Sequence, residues 1–337
     1  MSEPKVLLLH WNRGRWRAKE RPRQALTENA CETWVFAFDG DFLNTSIAKP
    51  SDLTGYDIII ANSDPIHLKQ LCALSASRPA GTKWVTLLEG DALDYIKPRP
   101  DIRELLDSSD LVNCINKYST TYFKKFTSAP VEFIGFPYPA ESIRALSTPV
   151  DKRRREIFLA PMLLSRWLEY FCVKDLGIPF FGYEKRLSRK LRTIFQTLTK
   201  YRTIDPKYFH GKVHSLYRDT SLMIRGEKPL EDFFKEASAA SMWLALDQRY
   251  TWGRYVLDAA ALQIPIITTR STGQAEHFFP QTMLENEFEI DKARELILRL
   301  FQDKDFYEVV ANIPLEKFDH LRPEVKKKEL LEALYRS

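Results

Sequence analysis

The chain has 337 residues, with 50 basic against 45 acidic side chains, 12 glycines, four cysteines and a mean hydropathy of -0.33. Its length favours two domains with sizeable cores, and its 44% hydrophobic content excludes a disordered or membrane-embedded chain. Glycine stands at about half its usual frequency of roughly 7%, which argues against several glycine-rich phosphate loops.

The net charge of +5 is unevenly spread. Residues 1–24 hold seven basic and two acidic side chains, and residues 151–218 hold sixteen and six. Residues 25–150 and 219–337 are each net acidic by five. Basic blocks of this kind meet phosphates or anionic surfaces, or else form solvated helix faces. Cys31, Cys72, Cys114 and Cys172 form no C-x-x-C pair, which argues against a zinc ribbon and fits a reducing compartment. The apolar run Val6–Leu9 is too short for a signal peptide, and no stretch of about 18 apolar residues occurs. A cytoplasmic protein without a transmembrane segment is expected.

In chain order, Lys5–Trp11, Thr33–Phe38, Tyr56–Ala61, Lys83–Leu88, Leu111–Ile115 and Val131–Ile134 are the strand candidates of the first half. Several are near-continuously apolar, as strands buried on both faces of a parallel sheet are. Helical segments Pro65–Ser77, Asp101–Ser108 and Thr120–Phe126 alternate with them, which predicts a doubly wound α/β domain. The stretch Phe136-Pro137-Tyr138-Pro139, then Pro149 and the charged run Asp151–Arg155, has the composition of a linker. Alternation resumes with strands at Ile157–Ala160, Ile178–Gly182, Ser221–Ile224, Met242–Leu246 and Ile264–Thr268. Helices fall at Leu230–Ala240, with Leu230, Phe233, Phe234 and Ala237 on one face, and at Val256–Leu262. Domains at 1–148 and 149–318 follow, with a C-terminal helix at 319–337 as a candidate for crossing back to the first.

The informative stretch is Ser221–Phe279. A strand reaches a turn at Gly226 and an amphipathic helix follows. A second strand runs into the loop Asp247–Trp252, a helix starts near Gly253, and a third strand ends in the loop Thr269–Gly273. Ligands of open α/β sheets sit at the carboxyl ends of strands, and helix-start amides at Gly253 suit a pyrophosphate.

This order and spacing resemble the donor-binding half of GT-B glycosyltransferases, especially the large retaining nucleotide-sugar family (glycosyl transferases group 1, family four-like). Trp252-Gly253 stands where that family has an aromatic-glycine pair. Val256-Leu257-Asp258 matches its second acidic position, Pro265 begins the next strand, and Gly273 and Glu276 match its last loop. The likeness reaches back to Gly226 and to the helix end at Ala237–Ala240. Two departures make the family's pair of acids divergent: Tyr250 replaces the first, which in the family contacts the donor sugar, and Asp258 replaces a glutamate that binds the nucleotide ribose. Aspartate keeps a hydroxyl acceptor with a reach one methylene shorter. Tyr250 alternatively plugs the loop, Asp258 alternatively serves as a first-turn acid of its helix, and Arg254 either neutralises a diphosphate or faces solvent.

The resemblance implies a GT-B fold, two Rossmann-like doubly wound α/β domains facing across a cleft. It also implies a retaining, metal-independent transfer from a nucleotide-sugar donor, with no cofactor beyond that donor. Donor contacts would come from Tyr250, Thr251, Trp252, Gly253, Arg254, Asp258 and Gly273. Arg166 and Lys174 lie nearest the places of the family's diphosphate-binding arginine and lysine. In the first half, Asp110–Ser119 and Val131–Pro137 resemble the last strands of the family's acceptor domain. Where that family often has a glycine-rich turn, this chain has Arg13, Gly14 and Arg15, whose guanidinium forks suit an anionic acceptor. Glu89 and Asp91 follow a strand end and are candidates to contact or deprotonate an acceptor hydroxyl.

The basic stretch 185–192, around an apolar stripe from Leu187 to Leu198, suits an anionic membrane surface or nucleic acid, or packs on its own domain. The acceptor classes are therefore a glycan, a lipid-linked molecule or modified DNA. Asp39-Gly40-Asp41 reads as a turn after the second strand, and His210 and His214 lack the companions of a zinc motif. No G-x-S-x-G or Walker loop occurs. The competing expectation, supported by Tyr250, is a catalytically inactive GT-B module that binds a nucleotide or a partner.

Overall fold

The computed structural model describes residues 3–11, 30–63, 66–88, 100–160, 167–184, 222–226, 229–247 and 250–336. The chain divides into two compact units: Met1–Ser142 with Arg249–Trp252 and Leu315–Ser337 (unit 1), and Ile143–Gln248 with Gly253–Pro314 (unit 2). Each is built on a six-stranded sheet in which every pairing is parallel.

The unit 1 sheet has the order β2-β1-β3-β4-β5-β6, from β1 (Val6–His10), β2 (Asp41–Asn44), β3 (Ile58–Asn62), β4 (Lys83–Leu88), β5 (Leu111–Cys114) and β6 (Val131–Glu132). All residues of β1, β3 and β5 are buried, so both sheet faces are covered and near-continuous apolar runs are the pattern that fits. Helices Leu68–Ala76 and Pro100–Asp107 lie together, joined by Cys72 Sγ donating to Asp101 O at 3.2 Å. Helix Lys117–Phe126 starts on Asn116, whose Oδ1 accepts from the Tyr118 amide at 2.9 Å. The C-terminal helix Pro323–Leu334 packs on helix Thr33–Ala37.

That last helix is a correction, because Thr33–Phe38 reads as a strand from sequence. It is helical and continues a 3₁₀ turn at Ala30–Glu32, burying Trp34 and Val35 completely. A six-residue apolar run has no period that separates strand from helix. The second strand lies further on, at β2. Asp39 (φ 50°) and Gly40 make the turn into it, and a Cβ on Gly40 would stand 2.8 Å from Val6 O of β1. The turn at 39–41 therefore precedes the second strand, and Asp41 belongs to that strand.

The unit 2 sheet has the order β12-β11-β10-β7-β8-β9, from β7 (Arg154–Leu159), β8 (Phe180–Glu184), β9 (Leu222–Gly226), β10 (Ala240–Ala245), β11 (Ile266–Thr269) and β12 (Met283–Leu284). Around it lie helices Trp167–Val173, Leu230–Ser238, Arg254–Ala261, Ile290–Gln302 and Lys304–Ala311. Its core is aromatic: Phe158 meets Trp243 edge to face at 5.1 Å and stacks on Phe181 at 5.1 Å. Arg225 lies 3.6 Å over the Phe181 ring and bridges Glu156 at 3.1 Å and Glu236 at 3.4 Å, which pairs its charge on the edge strand β9.

All four cysteines are buried thiols. Burial pushes the Cys172 thiol up to about 12, with the Glu169 carboxylate adding to the effect, so it is not a nucleophile at neutral pH. Among the described residues no helix is long and apolar enough to cross a membrane, and no cluster of His, Cys, Asp and Glu is placed to hold a metal ion.

Candidate functional site

The carboxyl end of the unit 2 sheet gathers two loops. Leaving β10, Leu246 gives its amide to the buried Glu169 Oε1 at 2.8 Å, and Asp247 turns its carbonyl to the hydroxyls of Thr269 and Ser271. The loop after β11 is thereby tied to the loop after β10. Glu169 is wholly buried, and its only sequence signal is a lone acid in the apolar run of Trp167–Val173.

Gly253 caps helix Arg254–Ala261 in the left-handed region, at φ 76° and ψ 38°. A Cβ there would stand 2.6 Å from Thr272 O and 3.1 Å from Gln274 Cγ. Glycine is therefore required twice, by conformation and by the close approach of the 269–274 loop. Gly273 (φ 77°) turns that loop. The first amide bonded within the helix is that of Val256, to Gly253 O at 2.9 Å. A helix start carries partial positive charge and orients amides toward an anion.

Arg254 and Asp258, one turn apart on this helix, form an ion pair of 3.0 Å with Asp258 only 3% exposed. Asp258 is thus a buried carboxylate in the second turn, not a first-turn acid of the dipole. Arg254, with 18% of its side chain exposed, keeps its charge beside the helix start and does not extend into solvent.

The chain passes from unit 1 to unit 2 between Trp252 and Gly253. Tyr250, Thr251 and Trp252 are held by unit 1. Asn116 Nδ2 donates to Thr251 O at 2.6 Å. Trp252 is 4% exposed and meets Phe136 edge to face at 5.0 Å and Tyr138 at 6.0 Å. Its indole fits only because residue 135 is glycine: a Cβ on Gly135 would lie 2.8 Å from Trp252 Nε1. Buried Asn113 of β5 fixes that glycine, accepting from its amide at 3.0 Å and donating to its carbonyl at 2.8 Å. Tyr250, at 38% exposure, is not the loop plug; Trp252 fills that role. The Tyr250 ring meets Tyr118 at 6.2 Å and 62°.

Of the remaining expected site residues, Lys174 is a correction. It ends helix Trp167–Val173 and precedes Pro179, which pairs with Ile157 at the amino end of β8. A crossover helix returns the chain to the amino edge of a parallel sheet, so Lys174 lies opposite the Gly253 end and pairs with Asp175 at 3.8 Å. Arg13, Gly14, Arg15, Glu89, Asp91, Arg166, the basic stretch 185–192, His210 and His214 fall outside the described residues.

Unit 1 contains a polar cluster not expected from the sequence, at the carboxyl ends of β1 and β3. His10 Nδ1 and Asn62 Nδ2 are 2.9 Å apart, and His10 Nε2 faces Glu32 Oε1 at 3.8 Å. His10 and Glu32 are buried, and burial lowers the imidazole to about 4, so it is neutral at physiological pH. The only signal for it is a histidine closing an apolar strand.

No protein-family model and no curated protein sequence matches this chain. Solved structures do match in fold. An alpha-glucosyltransferase in complex with UDP-glucose and DNA containing an abasic site superposes with a TM-score of 0.64 at 10% identity, covering 99% of this chain and 100% of that one. The alpha-glucosyltransferase in complex with UDP alone gives 0.63 at 11%, over 98% and 99%. A UDP-forming trehalose-phosphate synthase from Burkholderia xenovorans gives 0.59 at 13%, over 86% of this chain and 75% of that one. At such identities the likeness is one of fold, and the fold is GT-B: α/β, with two Rossmann-like parallel-sheet units.

Proposed function

We propose that this chain is a glycosyltransferase that moves a sugar from a nucleoside-diphosphate donor to an acceptor hydroxyl, with retention of configuration and without a divalent cation. The observation that carries the reading is the unit 2 strand-end site. There a Cβ-free helix start at Gly253 lies against the Thr272 carbonyl, with Arg254 at the first helical position paired to the buried Asp258 one turn in. The helix start takes the diphosphate, and Asp258 accepts from the ribose hydroxyls. The sugar C1–O bond breaks, the acceptor oxygen bonds to C1, and the acceptor proton leaves on the departing diphosphate. Charge growing on that leaving group meets helix-start amides and the Arg254 guanidinium, which is stabilisation already in place before reaction. UDP and UDP-glucose in complexes of the fold neighbours, in several cases together with DNA, support this choice of donor. The four buried thiols fit work in a reducing compartment, the cytoplasm.

The basic blocks at 1–24 and 151–218 favour an anionic acceptor among a glycan, a lipid-linked molecule and modified DNA. The test is transfer of radiolabelled sugar from a panel of nucleotide sugars, in chelator, to hydroxymethylated DNA, acidic glycans and lipid-linked phosphates. Product configuration would be read by NMR. Transfer with retained configuration supports the reading, and transfer with inversion removes the retaining step. Tyr250, in place of a carboxylate, favours one second reading, a non-catalytic nucleotide-binding module. Nucleotide binding without nucleoside-diphosphate release from any donor and acceptor would select it.

A further inference from the structure

Helix Lys117–Phe126 presents an exposed face that the donor site leaves unused. Tyr118 and Tyr122, one turn apart, are 37% and 38% exposed. Exposed Lys125 continues their row one turn on, with Lys117 and Lys124 beside it. Tyr122 is backed by Phe126, stacked at 5.9 Å, and Tyr118 is flanked by Tyr250 at 6.2 Å. Lys117 Nζ stands 4.9 Å from the Tyr118 ring centre. The corner is held in place from below. Asn116 caps the helix at the Tyr118 amide and fixes the Tyr250 loop through Thr251 O, at 2.9 and 2.6 Å.

The helix's own charged side chains are all basic. From Leu111 to Pro130 the sequence contains three lysines and no acid. Among the described residues the flanking carboxylates are engaged: Asp107 accepts from Thr127 and Ser128, and Glu132 pairs with Arg336 at 3.7 Å. Unpaired bases stack on such rings because every base has a π face, and lysines two turns apart on the same helix meet the linking phosphates. A neutral sugar would use the rings but not the lysines.

We infer that Tyr118, Tyr122 and Tyr250, with Lys117 and Lys125, bind unpaired nucleotides of a nucleic-acid strand. As an account of the acceptor this rests on the transferase reading; as a binding site it stands without it. Tyr250 then has a role that a carboxylate in its place would oppose, because a negative charge beside the ring corner repels phosphate.

The test is fluorescence anisotropy with a labelled mixed-sequence single-stranded DNA, for the wild-type chain and the Tyr118→Ala, Tyr250→Ala and Tyr118→Phe variants. Each alanine should weaken binding about tenfold, while Tyr118→Phe keeps the ring and stays within about twofold. Lys125→Gln should reduce the slope of log affinity against log salt by about 0.7, one phosphate's share on a single strand. Equal affinities across the tyrosine series, absence of oligonucleotide binding, or displacement of the strand by a neutral oligosaccharide would each overturn the inference. Calorimetry with UDP on the same variants separates the two readings. UDP binding retained in Tyr118→Ala leaves the transferase reading in place whatever the oligonucleotide does, and loss of UDP binding in the wild type removes that reading alone.

Discussion

Replacing Gly253 by alanine tests the geometry of the donor loop most sharply, because unit 2 contains a matched control. Gly253 and Gly177 both have positive φ, 76° and 66°. A Cβ on Gly177 meets nothing within 4 Å, whereas on Gly253 it would sit 2.6 Å from Thr272 O. Alanine at either site costs about 1–2 kcal/mol for the left-handed conformation. At Gly253 the Cβ must also open to ordinary contact, near 3.4 Å, a shift of 0.8 Å (3.4 less 2.6) against a backbone carbonyl and the buried Gln274. Overpacking of that kind adds about 1–3 kcal/mol. Urea denaturation should therefore find Gly253→Ala about 1–3 kcal/mol less stable than Gly177→Ala. Nucleotide affinity should fall in the first variant and hold in the second, since the shift tilts the helix start. Equal destabilisation of the two, or unchanged nucleotide affinity in Gly253→Ala, would show that the Thr272 contact does not hold the helix start.

Other outcomes follow from the same structure. His10 is neutral when buried, near 4 against 6.5 in the unfolded chain, so the unfolded state takes up the extra proton between those values. Stability from this group is complete above pH 6.5 and is lost toward pH 4, by about 3 kcal/mol in all; His10→Gln should flatten that acid limb in denaturation midpoints, and an unchanged limb contradicts the assignment. Asp258→Ala should weaken UDP binding about tenfold or more, the worth of hydrogen bonds to a charged group, while Lys174→Ala at the opposite sheet edge leaves calorimetric affinity unchanged. Gly135→Ala should destabilise unit 1 by about 2–5 kcal/mol, from the left-handed φ of 77° and the clash with the Trp252 indole, and combining it with Trp252→Phe should cost less than the sum of the two single changes.

Sequence and structure agree where local pattern decides. β1, β4 and the Arg254–Ala261 helix are readable because a short, mostly apolar strand run, or a helical face opened by glycine, leaves few alternatives. Thr33–Ala37 is misread because its run is short and its helical state is fixed by the turn before it and by Gly40 behind it. β12, two residues long, has too little pattern to be read. Gly253 and Asp258 are visible as spacing, but the partnership of Trp252 with Gly135 joins segments far apart in the chain and has no local signature. Lys174 is misplaced for a plain reason: position after a strand says nothing about which sheet edge a residue reaches until the helix between has a length. The His10–Glu32–Asn62 cluster is invisible for the same cause, since three elements converge on it.

Binding of a nucleoside diphosphate by the unit 2 loops, through the Gly253 helix start and Asp258, is the step on which the proposed transfer depends. Isothermal titration of UDP and of other nucleoside diphosphates, in chelator, into the wild-type chain, Asp258→Ala and Gly253→Ala measures it directly. At least one of them should bind saturably and one to one, about tenfold or more weaker in both variants. Absence of binding by every nucleoside diphosphate, or binding that both variants retain at full strength, would contradict that mode of binding.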